Sequence, residues 1–404
     1  MSGRCRWIAV ALALAACAGD GLRVEGEPGQ ETAIAVVVDT PRVRATVEGA
    51  GEGTFLVDTG APFSVADVDS FPQLAPGVHR VDLAAFGLRF ADYELLAYDA
   101  LGGAPIDGLI GADLLCALPA VFDYRGGRAW LLDEPPATWP ADVAAAEPIW
   151  VDVAVRGGGT YSAIGCPACG TVDRPPTRVI ARVVIEGMPV AALVDTGASS
   201  LTLSEDLVAR LGDGGRPRLD GVTVDTAQGP LPAYLTRVGR VEVSAATRTS
   251  VPALVIPGWD AFAALSAEAG ERVDAIVGGS LLRYFAFGID CAGRRIALGA
   301  YADTPHVDPR EFIGPGFELA GGPGQWQIAL VYPATDAAAK GLQVGDRVTE
   351  LGGESLADAD AAEIDAIVAA VDVGEPIAVT IDRAGSLETI DVLVEDLLPD
   401  FTTP

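Results

Sequence analysis

The sequence predicts a mainly β protein built from two related lobes in one chain, followed by a smaller α/β module. Three observations carry that expectation. The segment Leu56-Val57-Asp58-Thr59-Gly60-Ala61 recurs unchanged as Leu193-Val194-Asp195-Thr196-Gly197-Ala198, and six identical residues in two places are hard to attribute to composition, even with 48 glycines. Each copy follows a β-rich stretch, Val43 to Val57 or Val179 to Val194, and leads into another, Phe63-Ser64-Val65 or Leu201-Thr202-Leu203. Beyond Ile313 the pattern changes to strands alternating with short helices.

The ends come first. With 404 residues, half of them hydrophobic, the chain can build two or three domains, each with its own core. Arg4 and Arg6 precede an apolar run from Trp7 to Ala16 that is too short to span a bilayer and has the plan of a secretory signal. The run closes on Leu14-Ala15-Ala16-Cys17, which resembles a bacterial lipobox. That resemblance implies lipidation of Cys17, export, and an envelope lipoprotein whose membrane contact is its lipid anchor. The absence of Asp directly after Cys17 points to the outer membrane. An ordinary signal peptide that happens to hold a cysteine is the alternative.

A formal charge of −29, with Lys340 the only lysine, makes nucleic acid and anionic lipid surfaces poor partners. Beyond the leader the cysteines are Cys116, Cys166, Cys169 and Cys291, read as disulfides in an exported protein. Cys166-Pro-Ala-Cys169 has the spacing of half a zinc site or a redox motif. Zinc would need two further ligands, and the only histidines, His79 and His306, are isolated. The expectation is therefore no metal, no cofactor, and a local disulfide between Cys166 and Cys169. Cys116 and Cys291 are candidates to pair across the lobes, with connectivity not fixed by sequence.

A second repeat lies downstream, where Ile106-Asp107-Gly108-Leu109-Ile110-Gly111-Ala112-Asp113-Leu114-Leu115 matches Val273-Asp274-Ala275-Ile276-Val277-Gly278-Gly279-Ser280-Leu281-Leu282. The match continues to Arg128-Ala129-Trp130-Leu131 against Arg295-Ile296-Ala297-Leu298. Gly111 follows Asp58 by 53 residues and Gly278 follows Asp195 by 83, so the second lobe carries an insertion. The expected organisation is a leader over 1–17, a linker over 18–33, lobe 1 over 34–134, and a Pro- and Gly-rich linker with the cysteine pair and one strand over 135–178. Lobe 2 follows over 179–302, then a linker over 303–312 and the α/β module over 313–399.

The chemistry rests on the repeated aspartates. Hydrolysing an amide without metal needs a base to activate water and an acid to protonate the departing nitrogen. Two carboxylates at hydrogen-bonding distance supply both, because they cannot both ionise comfortably and so keep one proton between them. Gly60 and Gly197 permit the tight turn that brings each aspartate to the lobe interface, and Thr59 and Thr196 place hydroxyls beside it. With two isolated histidines, a Ser-His-Asp or Cys-His site has little to draw on, and no phosphate-cradling glycine motif accompanies a lysine.

Apolar-apolar-Asp-Thr-Gly-Ala followed by apolar-apolar-Gly, present in both halves, resembles the pepsin and retropepsin families of aspartic peptidases. The resemblance spans about Ile34 to Tyr301 and implies two retropepsin-like acid-protease β lobes, endopeptidase activity on polypeptide substrates, and Asp58 and Asp195 as the catalytic pair. It further implies that Thr59, Gly60, Thr196 and Gly197 support that pair, and that Ile110-Gly111 and Val277-Gly278 pack beneath the active-site turns. In lobe 2, Val224-Asp225-Thr226-Ala227-Gln228-Gly229-Pro230 resembles a flap, with Thr226, Ala227, Gln228 and Gly229 at its tip. Lobe 1 offers only Ala85-Phe86-Gly87 within Val81 to Tyr98, which reads as short. Tyr93 and Tyr98 are either cleft-facing or ordinary strand residues.

The segment from Gly314-Pro315-Gly316-Phe317 through Lys340-Gly341-Leu342-Gln343-Val344-Gly345-Asp346-Arg347-Val348 resembles bacterial PDZ domains. That likeness implies a PDZ-like α/β domain that binds a C-terminal peptide by strand addition, with amides near Gly316 and Phe317 holding the carboxylate and Phe317 lining an apolar pocket. Phe317 as plain core is the alternative. For the whole chain, the competing expectation is a catalytically inactive peptide-binding envelope protein on the same folds.

Overall fold

The repeat becomes two closed β lobes in the computed structural model, which describes residues 22–99, 105–163, 166–212, 214–226, 229–302 and 310–402. The leader with Cys17, the flap-tip residues Ala227 and Gln228, His306 and most of the 303–312 linker lie outside the described residues.

Lobe 1 begins with β1 (Arg23–Glu25), β2 (Thr32–Ala33), β3 (Ala35–Val37), β4 (Thr40–Val47) and β5 (Gly51–Asp58). It continues through β6 (Val65–Asp67), β7 (Gly77–Ala85), β8 (Leu88–Tyr98), β9 (Gly108–Gly111), α1 (Ala112–Leu115), β10 (Ala120–Asp123) and β11 (Arg128–Leu131). In β5 burial alternates, so that Phe55 and Val57 reach the core while their neighbours face outward, the period-two pattern of a half-buried strand. The sheet runs β1-β8-β6-β9-β5-β4-β3, and β7 closes it into a barrel by pairing with both β4 and β8. β5 and β9 are parallel, Asp58 opposite Gly111, which sets the Asp-turn beside the apolar-apolar-Gly segment.

Four strands follow: β12 (Ile149–Asp152), β13 (Ala154–Arg156), β14 (Gly159–Ser162) and β15 (Thr171–Arg174). Lobe 2 comprises β16 (Arg178–Ile185), β17 (Met188–Val194), β18 (Leu201–Leu203), α2 (Glu205–Leu211), β19 (Arg218–Thr226), β20 (Gly229–Val243) and β21 (Ala246–Val255). It ends with α3 (Ala261–Ala269), β22 (Ala275–Val277), α4 (Gly279–Leu282), β23 (Phe285–Asp290) and β24 (Arg295–Ala300). Its topology repeats that of lobe 1: β17 and β22 are parallel, β18 and β21 are parallel, and β16 pairs with β20 to close the barrel. The long insertion is α2, β19 and α3.

A six-stranded sheet, β12-β24-β23-β10-β11-β2, joins the lobes. Its centre is the antiparallel pair β10 and β23, with Phe122 opposite Phe287 and their rings stacked at 6.1 Å. Both rings are fully buried, each worth about 2 kcal/mol of apolar transfer. A disulfide between Cys116 and Cys291 crosses the same interface.

Two expected linkers are not linkers. Within 18–33, β1 pairs with β8 and β2 with β11; within 135–178, where one strand was expected, β12 joins the inter-lobe sheet, β13 extends lobe 2, and β14 and β15 form a hairpin. The reason is physical. β1, β2 and β12 pair with strands far away in sequence, and β14 and β15 carry Pro and Gly at their ends, so composition marks the turns and hides the pairing.

The C-terminal module contains β25 (Ile313–Gly314), β26 (Phe317–Ala320), β27 (Gln327–Val331), α5 (Asp336–Ala339), β28 (Arg347–Leu351) and β29 (Glu354–Ser355). α6 (Ala361–Ala369), β30 (Pro376–Arg383), β31 (Ser386–Leu393) and β32 (Glu395–Asp396) complete it. Its sheet order is β26-β27-β28-β30-β31, with β29 paired to β28. Thr335 caps α5, and Asp360 with Glu363 forms a reciprocal capping box on α6. The module packs on lobe 2 through Leu219, Tyr332 and Leu398, with Leu235, Phe312 and Leu330 around them.

Candidate active site

Two turns meet at the lobe interface, each held by the other. Asp58 Oδ1 accepts from the amides of Gly60 and Ala61, both at 2.8 Å, and Asp195 Oδ1 accepts from Gly197 at 2.8 Å and Ala198 at 3.0 Å. These bonds aim each carboxylate at the opposite lobe. A Cβ added to Gly60 would fall 2.6 Å from Asp195 Oδ1, and one added to Gly197 would fall 2.7 Å from Asp58 Oδ1. Each glycine is therefore bare because the partner's carboxylate occupies the space its side chain would need.

The threonines lock the arrangement. Thr59 Oγ1 donates to the Val194 carbonyl at 3.0 Å and accepts from the Thr196 amide at 3.0 Å. Thr196 Oγ1 donates to the Val57 carbonyl at 2.7 Å and accepts from the Thr59 amide at 3.1 Å. Both threonines have no exposed surface. Four buried hydrogen bonds with near-twofold symmetry fix the spacing of the carboxylates to the backbones on which they ride.

Ile110-Gly111 and Val277-Gly278 lie beneath. A Cβ on Gly111 would strike the Phe63 backbone, and one on Gly278 would strike the carbonyls of Ser200 and Ala198. The amides that follow, Ala112 and Gly279, donate to the carbonyls of Ala61 and Ala198 at 2.8 and 2.7 Å. Ser64 and Ser280 add a bond that sequence reasoning missed. Ser64 Oγ accepts from the Gly111 amide at 2.9 Å, while in lobe 2 Ser280 Oγ accepts from Leu201 at 2.7 Å. The two serines come from opposite members of the matched segments, Ser64 aligning with Leu201 and Asp113 with Ser280. Only a search for complementary exchange between the repeats would have found them.

Lobe 1 backs its turn with a further network. Asp113 accepts from Ser64 at 3.1 Å, from Tyr93 Oη at 2.5 Å and from Arg174 Nε at 2.6 Å. Tyr93 is thus a buried anchor, and burial together with the Asp113 charge pushes its phenol well above the ordinary value. Tyr98 packs with Phe63, Val65 and Leu96. Arg174 had no sequence signal, standing amid prolines in what reads as a linker.

Burial and mutual repulsion govern the carboxylates. Desolvation first, then the charge of Asp195 and a hydrogen bond between the two groups, push Asp58 up from 3.8 to about 8. Asp195 is also raised by burial, but the hydrogen bond from Asp58, the amides of Ala198 and Gly197, and the charge of Arg178 offset part of the rise. The pair is built to retain one proton across mildly acidic pH.

The hairpin of β19 and β20 stands over lobe 2, paired as far as Thr226 with Gly229, where Thr226 Oγ1 donates to the Gly229 carbonyl at 2.8 Å. Among the described residues lobe 1 has no counterpart. Its β7 and β8 correspond by pairing to β20 and β21, so the Ala85-Phe86-Gly87 turn matches the Ser244 turn and not a flap tip; Phe86 is buried. In lobe 1 only residues 68–76 separate β6 from β7, where lobe 2 places α2 and β19.

In the C-terminal module Gly316 adopts φ of +78°, and a Cβ there would press on Thr335. Phe317 is 7% exposed within the module's core. Cys166 and Cys169 form a disulfide. Among the described residues no cluster of His, Cys, Asp and Glu is arranged to hold a metal ion, and no helix is long and apolar enough to cross a membrane.

The chain is similar to an aspartic proteinase from Irpex lacteus, at 12% identity and a TM-score of 0.42 over 68% of this chain and 98% of that one. It is also similar to an aminopeptidase N family protein from Idiomarina loihiensis, at 18% identity and a TM-score of 0.19 over 21% of this chain and 14% of that one. No curated protein matches it. Residues 181–281, which run from β16 through the Asp195 turn and the β19–β20 hairpin to α4, match the family model described as aspartyl protease.

Proposed function

We propose that this protein is an aspartic-type endopeptidase in which Asp58 and Asp195 act as one acid-base pair on peptide bonds. The observation that carries the reading is the reciprocal fit of each carboxylate over the other turn's glycine, with both proton affinities raised. One carboxyl of the pair holds the shared proton and hydrogen-bonds the scissile carbonyl. The other, ionised, takes a proton from the attacking water. The tetrahedral intermediate then collapses as the proton held between the pair passes to the departing nitrogen. No metal or cofactor enters this scheme.

The C-terminal module is proposed as PDZ-like, taking a chain end on the free edge of β26, which stands last in its sheet. Its docking on β19 and β20 supports a role in holding the flap hairpin from outside. Arg237 donates to the carbonyls of Leu398 at 2.7 Å and Ser250 at 2.6 Å and lies over Phe312 at 5.3 Å. Export and lipid anchoring at Cys17 remain part of the proposal, and the two disulfides suit an oxidising compartment.

That lobe 1 shows no flap among the described residues favours a second reading, in which the same cleft binds polypeptide without turnover. Incubation of the purified protein with a denatured polypeptide across acidic and neutral pH, with new termini identified by mass spectrometry, separates the two. Cleavage that depends on both aspartates supports the peptidase. Intact substrate at every pH overturns it in favour of binding.

A further inference from the structure

The barrel registers of the two lobes align residue for residue around the cleft. In lobe 1, Val65 stands beside Leu96 and Asp67 beside Tyr98; in lobe 2, Thr202 stands beside Leu254 and Leu203 beside Val255. Counting from Asp58 and Asp195, Leu96 is the counterpart of Leu254, and Tyr98 of Ile256. In lobe 2 the flap hairpin covers that pair, with Val222, Val224, Leu231 and Ala233 packed on Leu254 and Ile256.

In lobe 1 the same two positions are covered by a segment from outside the lobe. Ala163, Cys169 and Val172 of the β14–β15 hairpin pack on Leu96 and Tyr98, with Tyr161 alongside. The Tyr161 ring also lies 6.0 Å from Phe63, five residues beyond Asp58. At its foot the hairpin comes close to Arg178. A Cβ on Gly157 would lie about equally close to the Tyr161 hydroxyl and to Arg178, at 3.1 and 3.0 Å, and Arg178 is the residue whose charge bears on Asp195.

The hairpin is pinned at both ends. Arg174, at the end of β15, donates to Asp113 at 2.6 Å and to the Glu94 carbonyl at 2.5 Å. At the tip, the disulfide between Cys166 and Cys169 closes the short helical turn that lies against β7 and β8. Gly170 sits close enough to Val78 that an added Cβ would come within 3.3 Å of it.

From this we infer that the β14–β15 hairpin is the lobe-1 wall of the substrate cleft, standing where lobe 1 shows no flap among its described residues and selecting apolar substrate side chains through Tyr161 and Phe63. The inference rests on the cleft proposed above being a polypeptide site. It assigns to an inter-lobe excursion the role that β19 and β20 fill on the other side, and to the Cys166–Cys169 disulfide the task of keeping that wall closed.

Hydrogen exchange tests it on the full-length Asp195→Asn chain, with and without saturating reduced and alkylated albumin as an unfolded-chain probe. The expected result is slowed exchange in both β14–β15 and β19–β20. Slowing confined to β19–β20, or none anywhere, overturns the inference. Cleavage by the parent chain is read separately, so that absent turnover with protection on both sides counts against the peptidase reading alone. Tyr161→Ala should weaken probe binding about tenfold with exchange in β4 and β5 unchanged, and Cys166→Ser/Cys169→Ser should weaken it in the same direction while keeping the ring. Unchanged affinity in both variants overturns the inference as well.

Discussion

Thr59 and Thr196 each donate a hydroxyl proton to the backbone carbonyl that precedes the other lobe's aspartate, and each accepts from the other's amide. The lobes are therefore joined at the site by bonds that neither can make alone.

Replacing Thr196 with Val keeps the shape and removes the hydroxyl. The Val57 carbonyl and the Thr59 amide would then be buried without partners, at about 1–3 kcal/mol for each group. Thr196→Val should lose roughly 2–5 kcal/mol in denaturant unfolding, while Thr196→Ser, which retains both bonds, should lose about 1 kcal/mol or less. Equal losses would place the effect in the methyl group.

The raised proton affinity of Asp58 couples stability to pH. A carboxyl whose folded value lies above its unfolded value stabilises the fold fully below the unfolded value and loses that contribution as pH climbs through the folded one. The window here runs from 3.8 to about 8. Stability of the parent should fall across that range relative to Asp58→Asn, whose side chain does not titrate. Thermal unfolding of both proteins from pH 4 to pH 8 measures the difference, and parallel curves would contradict the assignment.

Cys116 and Cys291 are 175 residues apart in sequence and close a long loop across the lobe interface. Chain-entropy reasoning gives such a link about 5 kcal/mol. The Cys116→Ser/Cys291→Ser variant should unfold at correspondingly lower denaturant. The Phe122 and Phe287 stack should keep the inter-lobe sheet paired in native buffer.

Arg237 ties the β19–β20 hairpin to the C-terminal segment. Arg237→Ala should cost about 2 kcal/mol, the scale of hydrogen bonds to a charged donor. It should also speed amide exchange in β19 and β20 while leaving β4 and β5 unchanged. Uniform acceleration would show a general loss of stability in place of a local tether.

The sequence announced the parts of the site that repeat. Asp58 with Asp195 and Gly111 with Gly278 stand in matched segments, because the same backbone problem is solved twice with the same residues. Ser64 and Ser280 escaped because the lobes solve a single problem, bracing the turn below the aspartate, from opposite members of the matched segments. The β14–β15 hairpin escaped because its prolines and glycines lie at its ends, and its contacts run to Phe63, Glu94 and Asp113, far away in sequence. The β7–β8 turn looked like a short flap because a hairpin with glycine at its tip has the same local signature wherever its strands pair. Only the partner strand, β4, distinguishes the two.

The most direct test of the acid-base pair is a mutant cycle on kcat/KM for a denatured polypeptide, comparing the parent with Asp58→Asn, Asp195→Asn and the double variant. Two carboxylates that share one proton act as a unit, so each single variant should lose at least about a thousandfold and the double variant little more than either. Losses that multiply in the double variant, or a single variant that keeps near-parent activity, would contradict the pair.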